Sequence, residues 1–273
     1  MEGSKMKLHV YCLNWNGKHL IQKSIPTLKK NLYNINIPYD IWVRDNGSSD
    51  HSIKYLEKNH PDIKLKKISH NTDSFSTGIN SLFIQSKPDD NDIILLLNND
   101  IEFIDNNSIK QMLNTMTKTK AAIVGAKLLY SNGTISHNGV IFSKKYGNMP
   151  WHYREGKKPN KYDMYDREFQ AVTAACCLVR AGNFRKAGML DNNLFWSFED
   201  ISMNLEISIN QKEKIVCCGK TNIIHLTSES LKKNPVNKMF LNQNVQYFKE
   251  KWFGKYDLDH EKYLKNPNYN LIR

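Results

Sequence analysis

The chain has 273 residues, 40% hydrophobic and 11% aromatic, with 39 basic against 27 acidic side chains and a net charge of +12. That is enough apolar material for one large α/β domain or a domain with an appendage. The charge favours anionic partners without choosing among nucleic acid, acidic membrane and phosphorylated small molecules. No apolar run is long enough to span a bilayer, and the first residues hold no signal-peptide core, so the expected location is cytoplasmic.

Residues 1–6 read as a disordered start and residues 8–13 as a strand. Ile21, Ile25, Leu28 and Leu32 recur at helical spacing, and Pro26 is expected to kink or break that helix. Residues 40–44 form a second strand, running into Asp45-Asn46-Gly47-Ser48-Ser49-Asp50. This cluster predicts a turn and then a helix capped by Ser49 or Asp50. A third strand spans 63–68, a helix 78–85 and a fourth strand 92–97. The fourth is the most informative, because five apolar residues stop abruptly at Asn98-Asn99-Asp100. Such a run reads as a fully buried strand of a parallel sheet. Ligands bind outside the carboxyl ends of such strands. A carboxylate there suits a hard divalent cation carrying a diphosphate, and a polar turn capping the next helix is the even alternative. Strands alternating with helices imply a Rossmann-like, mostly parallel sheet with helices on both faces.

Beyond Asp100, Ser108 caps a helix carrying Ile109, Met112, Leu113 and Met116, and residues 121–129 form an apolar strand. Residues 131–170, rich in Gly, Asn, Tyr and Lys, predict a hairpin and a long mobile loop, with 147–161 as a lid. Phe195-Trp196-Ser197-Phe198-Glu199-Asp200 places two acids after an aromatic cluster, opening a helix through Met203, Leu205, Ile207 and Ile209. The five cysteines show no C-x-x-C spacing, which argues for small buried thiols rather than zinc ligands.

Taken in order, these segments resemble the family 2 inverting glycosyltransferases of the GT-A fold over nearly the whole chain. Val10-Tyr11-Cys12-Leu13-Asn14-Trp15-Asn16-Gly17 is similar to the first strand and its nucleotide loop, and Asp45 to Asp50 to the motif receiving the donor base. Residues 71–80, with Phe75, Gly78 and Asn80, resemble the segment lining the donor pocket. Asn98-Asn99-Asp100 stands in the place of the D-x-D metal motif, with Asn98 replacing its first acid. Phe198-Glu199-Asp200 resembles the acidic motif that supplies the base. His225, in Ile223-Ile224-His225-Leu226-Thr227-Ser228, sits where many members place a further metal ligand, and residues 248–254 resemble the closing stretch. The resemblance implies a single GT-A domain over 7–256, with a nucleotide-sugar half (7–105), an acceptor and catalytic half (106–256) and a tail at 257–273.

Inverting transfer needs a base for the acceptor hydroxyl and an electrophile for the departing nucleoside diphosphate. The resemblance implies Mn²⁺ or Mg²⁺ on Asp100 and His225, and donor contacts from Asn14, Asn16, Asp45, Asn46, Asn80, Asn98 and Asn99. It implies Asp200 as base, with Glu199 as its substitute. Aromatic surroundings are expected to raise the Asp200 pKa. Each role has a plain competitor. His225 may be read as a strand-end core histidine, Glu199 and Asp200 as helix-dipole partners worth about 0.3–1 kcal/mol, and Asp45 as an Asx-turn closing on Gly47. Trp151, His152, Tyr153 and Arg154, with Trp196 and Phe198, offer sugar, phosphate or acceptor contacts or else belong to the core.

The implied partners are a UDP- or dTDP-sugar donor and a glycan, glycoprotein or lipid-linked acceptor. A peripheral contact with anionic membrane is expected from residues 240–263, where Lys249, Lys251 and Lys255 interleave with Phe248, Trp252, Phe253 and Tyr256. The competing reading is that these aromatics close the core. No RNP, helix-turn-helix or zinc signature supports nucleic acid. The rival function is a non-catalytic nucleotide- or carbohydrate-binding module on the same fold. Retention of both Asp100 and Asp200 speaks against it, since a binding module needs no base.

Overall fold

A computed structural model describes residues 6–69, 74–195, 197–226 and 237–273. The alternation in the first hundred residues becomes β1 (Leu8–Asn14), α1 (Lys18–Tyr33), β2 (Tyr39–Asp45), α2 (Ser52–Asn59), β3 (Lys64–Lys67), α3 (Phe75–Ser86) and β4 (Ile93–Asn98). These strands are parallel neighbours in the order β3-β2-β1-β4. Along β4, Ile93, Leu95 and Leu97 enter one core while Ile94 and Leu96 enter the other, so its unbroken apolar run has no solvent face.

Helix α1 runs straight through Pro26 rather than breaking there. A proline inside a helix costs about 3 kcal/mol. Burial of Ile21, Ile25, Leu28 and Leu32 on one stripe, at about 1.5–3 kcal/mol each, outweighs that cost. The Thr27 hydroxyl also donates to the carbonyls of Lys23 and Ser24 beside the gap. Asp50 joins two helix starts, accepting from the Lys18 and Ser52 amides.

The second half supplies β5 (Ile101–Phe103), α4 (Ser108–Thr119), β6 (Ile123–Leu129), β7 (Ile135–His137), β8 (Val140–Phe142), β9 (Pro150–His152), β10 (Asp166–Phe169), β11 (Cys176–Arg180), α5 (Ala181–Lys186) and α6 (Glu199–Leu205). It continues through β12 (Ile215–His225), α7 (Asn237–Trp252), α8 (His260–Lys265) and β13 (Leu271–Ile272). Ser108 opens α4 as expected, but the capping carboxylate is Asp105, which accepts from the Asn107 and Ser108 amides. The sheet continues from β4 as β11-β6-β12-β10-β13, and β11 is antiparallel to both β4 and β6. Helices α1 and α4 cover one face, and α3 and α5 the other.

Three expectations change here. Residues 131–170 are folded rather than a structureless loop: β8 pairs with β9, Tyr153 N–H donates to Gly139, and Gly156 N–H donates to Ile135. An Arg154–Asp163 ion pair at 3.0 Å and an Asn160–Asp163 capping box hold the segment's far end. Residues 257–273, expected as a tail, bury Tyr263 and place β13 at the sheet edge. In the closing stretch, Phe248, Trp252 and Tyr256 form a third small core with Phe142 and Leu205, and Lys251 pairs with Asp191. Phe253 stays exposed. Among the described residues no helix is long and apolar enough to cross a membrane. All five cysteines are free and buried.

Candidate active site

Parallel register sets Asn14 beside Asp45 and Leu13 beside Asn98, so the polar ends of β1, β2 and β4 share one edge of the sheet. A single hydrogen-bond network ties them. Asn99 Nδ2 donates to Asn14 Oδ1, and Asn14 Nδ2 donates to Asp45 Oδ2 at 2.8 Å. Asp45 also accepts from the Ser48 amide and hydroxyl, while Asn16 Oδ1 accepts from the Ser49 amide. Asp45 is fully enclosed, so any contact with a donor base would displace a bond it already makes. Gly17 sits over the junction, where a Cβ would lie 2.4 Å from Asn99 Nδ2 and 2.6 Å from Asn14 Oδ1. Beside this network Asn46 Oδ1 is enclosed without a hydrogen-bond partner, a condition that buried polar groups rarely tolerate.

Strand β5 pairs antiparallel with the end of β12, His225 opposite Ile101, and the Leu226 amide donates to the Asp100 carbonyl. This brings together the two residues expected to hold a metal. His225 Nε2 lies 3.2 Å from Asp100 Oδ1, an enclosed oxygen that accepts no hydrogen bond. Cis ligands of an octahedral cation with ~2.1 Å bonds stand about 3.0 Å apart. The pair therefore fits a divalent ion, and its imidazole favours Mn²⁺ over Mg²⁺. The described residues hold no cluster of three or more His, Cys, Asp or Glu able to bind a metal. Remaining positions fall to ligand oxygens.

Across the edge, α6 opens with Glu199 and Asp200. Asp200 Oδ2 accepts from the Ala174 amide at 3.0 Å, and Oδ1 accepts from the Ile201 amide. Glu199 is different. Its Oε2 is enclosed without a partner, and burial, reinforced by the Asp200 charge, pushes its carboxyl up to about 8. Near neutral pH Glu199 thus keeps a proton and is a poor acceptor for another.

This carries a stability signature. A carboxyl raised in the folded state stabilises the fold fully below its ordinary value of 4.5, and loses that contribution as pH climbs toward 8. Glu199→Gln, neutral throughout, should lose nothing across that window. Urea unfolding should therefore show wild type falling by roughly 2–4 kcal/mol relative to the variant between pH 5 and 8. Parallel pH profiles would remove the buried proton.

Other expected residues divide. Asn80 is committed to the fold, its amide exchanging bonds with Leu190 and reaching Asn192. Asn98 donates its backbone N–H to Ala175. Tyr153 is core and Arg154 serves Asp163. Trp151 is 45% exposed and stacks on Tyr146, whereas His152 packs edge-on against His137. Phe198 packs against Phe248, and Trp196 lies outside the described residues, as do Asn71, Thr227 and Ser228.

Sequence reasoning missed His137 and the backbone of residues 172–175. Fully buried His137 accepts the Gly139 and Thr173 amides on Nε2. Burial, then His152 and His225, hold it well below the usual imidazole value. Only the turn glycine two residues on, Gly139 at φ +98°, hinted at it.

Comparisons with known proteins agree with this arrangement. The family described as Glycosyl transferase family 2 matches residues 12–187. The chain is 28% identical over 149 residues to the O-antigen biosynthesis protein RfbC of Myxococcus xanthus, covering 53% of this chain but 12% of that relative. Among solved structures, GalNAc-T7 with UDP, GalNAc and Mn²⁺ superposes with a TM-score of 0.67 at 11% identity, over 96% of this chain and 51% of that one. Residues 1–349 of TarS from S. aureus, in complex with UDP-GlcNAc, superpose with a TM-score of 0.60 at 14% identity, over 96% and 72%. At such identities the likeness speaks to the fold, which is GT-A.

Proposed function

Because the chain belongs to glycosyl transferase family 2, we propose that this glycosyltransferase is metal-dependent and inverting, and moves a sugar from a UDP- or dTDP-sugar to an acceptor hydroxyl. The observation that carries this reading is the Asp100–His225 pair, 3.2 Å apart with an unsatisfied carboxylate oxygen, at the strand ends. Bound there, Mn²⁺ or Mg²⁺ neutralises charge developing on the departing diphosphate. Asn14, Asn16, Asp45, Asn46 and Asn99 shape the nucleotide side, with Asn46 Oδ1 open to a donor N–H or O–H. Asp200, fixed by two amides, takes the acceptor hydroxyl proton. That oxygen bonds to the anomeric carbon as the bond to the diphosphate breaks on the opposite face.

The likeness to an O-antigen biosynthesis protein supports a cell-surface polysaccharide as acceptor, with glycoprotein or lipid-linked glycans of the same chemistry. Peripheral contact with anionic membrane rests on the net charge of +12 and exposed Phe253, since the neighbouring aromatics are buried.

A panel of nucleotide sugars tests the reading by thermal shift and donor hydrolysis. Pyrimidine diphosphate sugars at about a hundred times Kd should stabilise the protein by ~2.7 kcal/mol with Mn²⁺ present, and purine donors should not. A shift that survives EDTA unchanged removes the metal, and no shift with any donor sinks the proposal.

A further inference from the structure

Four consecutive residues between the sheet and α6 are each pinned to a different part of the site. Val172 exchanges both backbone groups with the Asn204 carboxamide: its N–H donates to Oδ1 at 3.0 Å, and Nδ2 donates to its carbonyl at 3.1 Å. The Thr173 amide donates to His137, the Ala174 amide to Asp200 Oδ2, and the Ala175 carbonyl accepts from Asn98 N–H at 2.9 Å. The run is thus a backbone splint from α6 to the end of β4, two residues before Asp100. Asn204 is fully buried and makes one further bond, from Nδ2 to the Asp200 carbonyl at 2.6 Å. One side chain therefore grips both the helix turn bearing Asp200 and the strand that supplies an amide to its carboxylate. A carboxamide suits this task because it presents an acceptor and two donors in one plane, matching a peptide's N–H and C=O.

We propose that Asn204 is a positioning residue for the base, setting Asp200 relative to the metal end of β4 through residues 172–175. The inference rests on the reading of Asp200 as base. Its alternative is that Asn204 merely holds the fold together. Misplacing a catalytic group by about 1 Å can cost 10²-fold, and a positioning role acts only while the base is present.

The test is a double-mutant cycle of Asn204→Ala and Asp200→Asn, with Asn204→Ser run in parallel because serine keeps one partner for the Val172 amide. Melting curves verify folding. Asn204→Ala should lower kcat about 10–100-fold, leave UDP affinity with Mn²⁺ and donor KM within about twofold, and cost less than about twofold in the Asp200→Asn background. Asn204→Ser should fall between wild type and alanine and, if alanine does not fold, takes its place in the cycle. A full additional loss in the Asp200→Asn background, or a loss of UDP affinity matching that of kcat, overturns the positioning role. Near-wild-type turnover by Asp200→Asn alone defeats the underlying base assignment, a result distinct from either.

Discussion

Asp200→Asn is expected to reduce turnover by roughly 10²–10⁴-fold, the usual worth of a general base, while leaving donor binding intact. The asparagine carbonyl can still accept the Ala174 amide that holds Asp200 Oδ2 at 3.0 Å, so the splint survives the change. What disappears is the proton acceptor. Single-turnover measurement with saturating donor separates this from binding, and calorimetry with UDP and Mn²⁺ should give an unchanged Kd. Retained turnover would transfer the role to Glu199 or to water. Glu199 starts at a disadvantage near neutral pH, because its pKa of about 8 leaves it mostly protonated there.

Losing the cation should be as severe. Asp100→Asn keeps the volume and removes the charge from an oxygen 3.2 Å from His225 Nε2. Charge stabilisation by a bound metal is worth several kcal/mol, which corresponds to a fall in turnover of about 10³-fold or more. Mn²⁺ titration followed by electron paramagnetic resonance, with UDP present, should show tight binding in wild type and little in the variant. His225→Ala should be milder, since the carboxylate and diphosphate oxygens remain. Equal turnover of wild type in EDTA and in Mn²⁺ would end this account.

Much of this was readable in the letters. The apolar run of β4 stopping at Asn98-Asn99-Asp100 carries strand, burial and site edge within eight residues, because a parallel strand buried on both faces leaves no other composition. The Asp100–His225 encounter was readable only through family resemblance, because β5–β12 pairing joins residues far apart in the chain. The Ala174 amide and the grip of Asn204 were not legible, since backbone donors carry no side-chain signature. The different environments of Glu199 and Asp200 also escaped. They are neighbours in sequence, and what separates them is the arrival of residues 172–175 from another strand. Segment 147–161 misled for a related reason. Its Gly and Asn residues resemble those of a mobile loop, yet Gly147, Asn148 and Gly156 all adopt positive φ, which is turn geometry encoded by the same letters.

The antiparallel placement of β11 bears on how the chain can be divided. With β1 on one side and β11 on the other, β4 has no free edge. A fragment ending near residue 105 would strip away β11 and uncover the hydrogen-bonding groups of an isoleucine- and leucine-rich strand. Bare apolar edges recruit further strands and seed aggregation. The nucleotide-facing half is therefore no detachable cassette. It stays unassociated because the half that follows lays a strand of opposite direction along it, and grafting or swapping between such enzymes would have to cut elsewhere than beside β4.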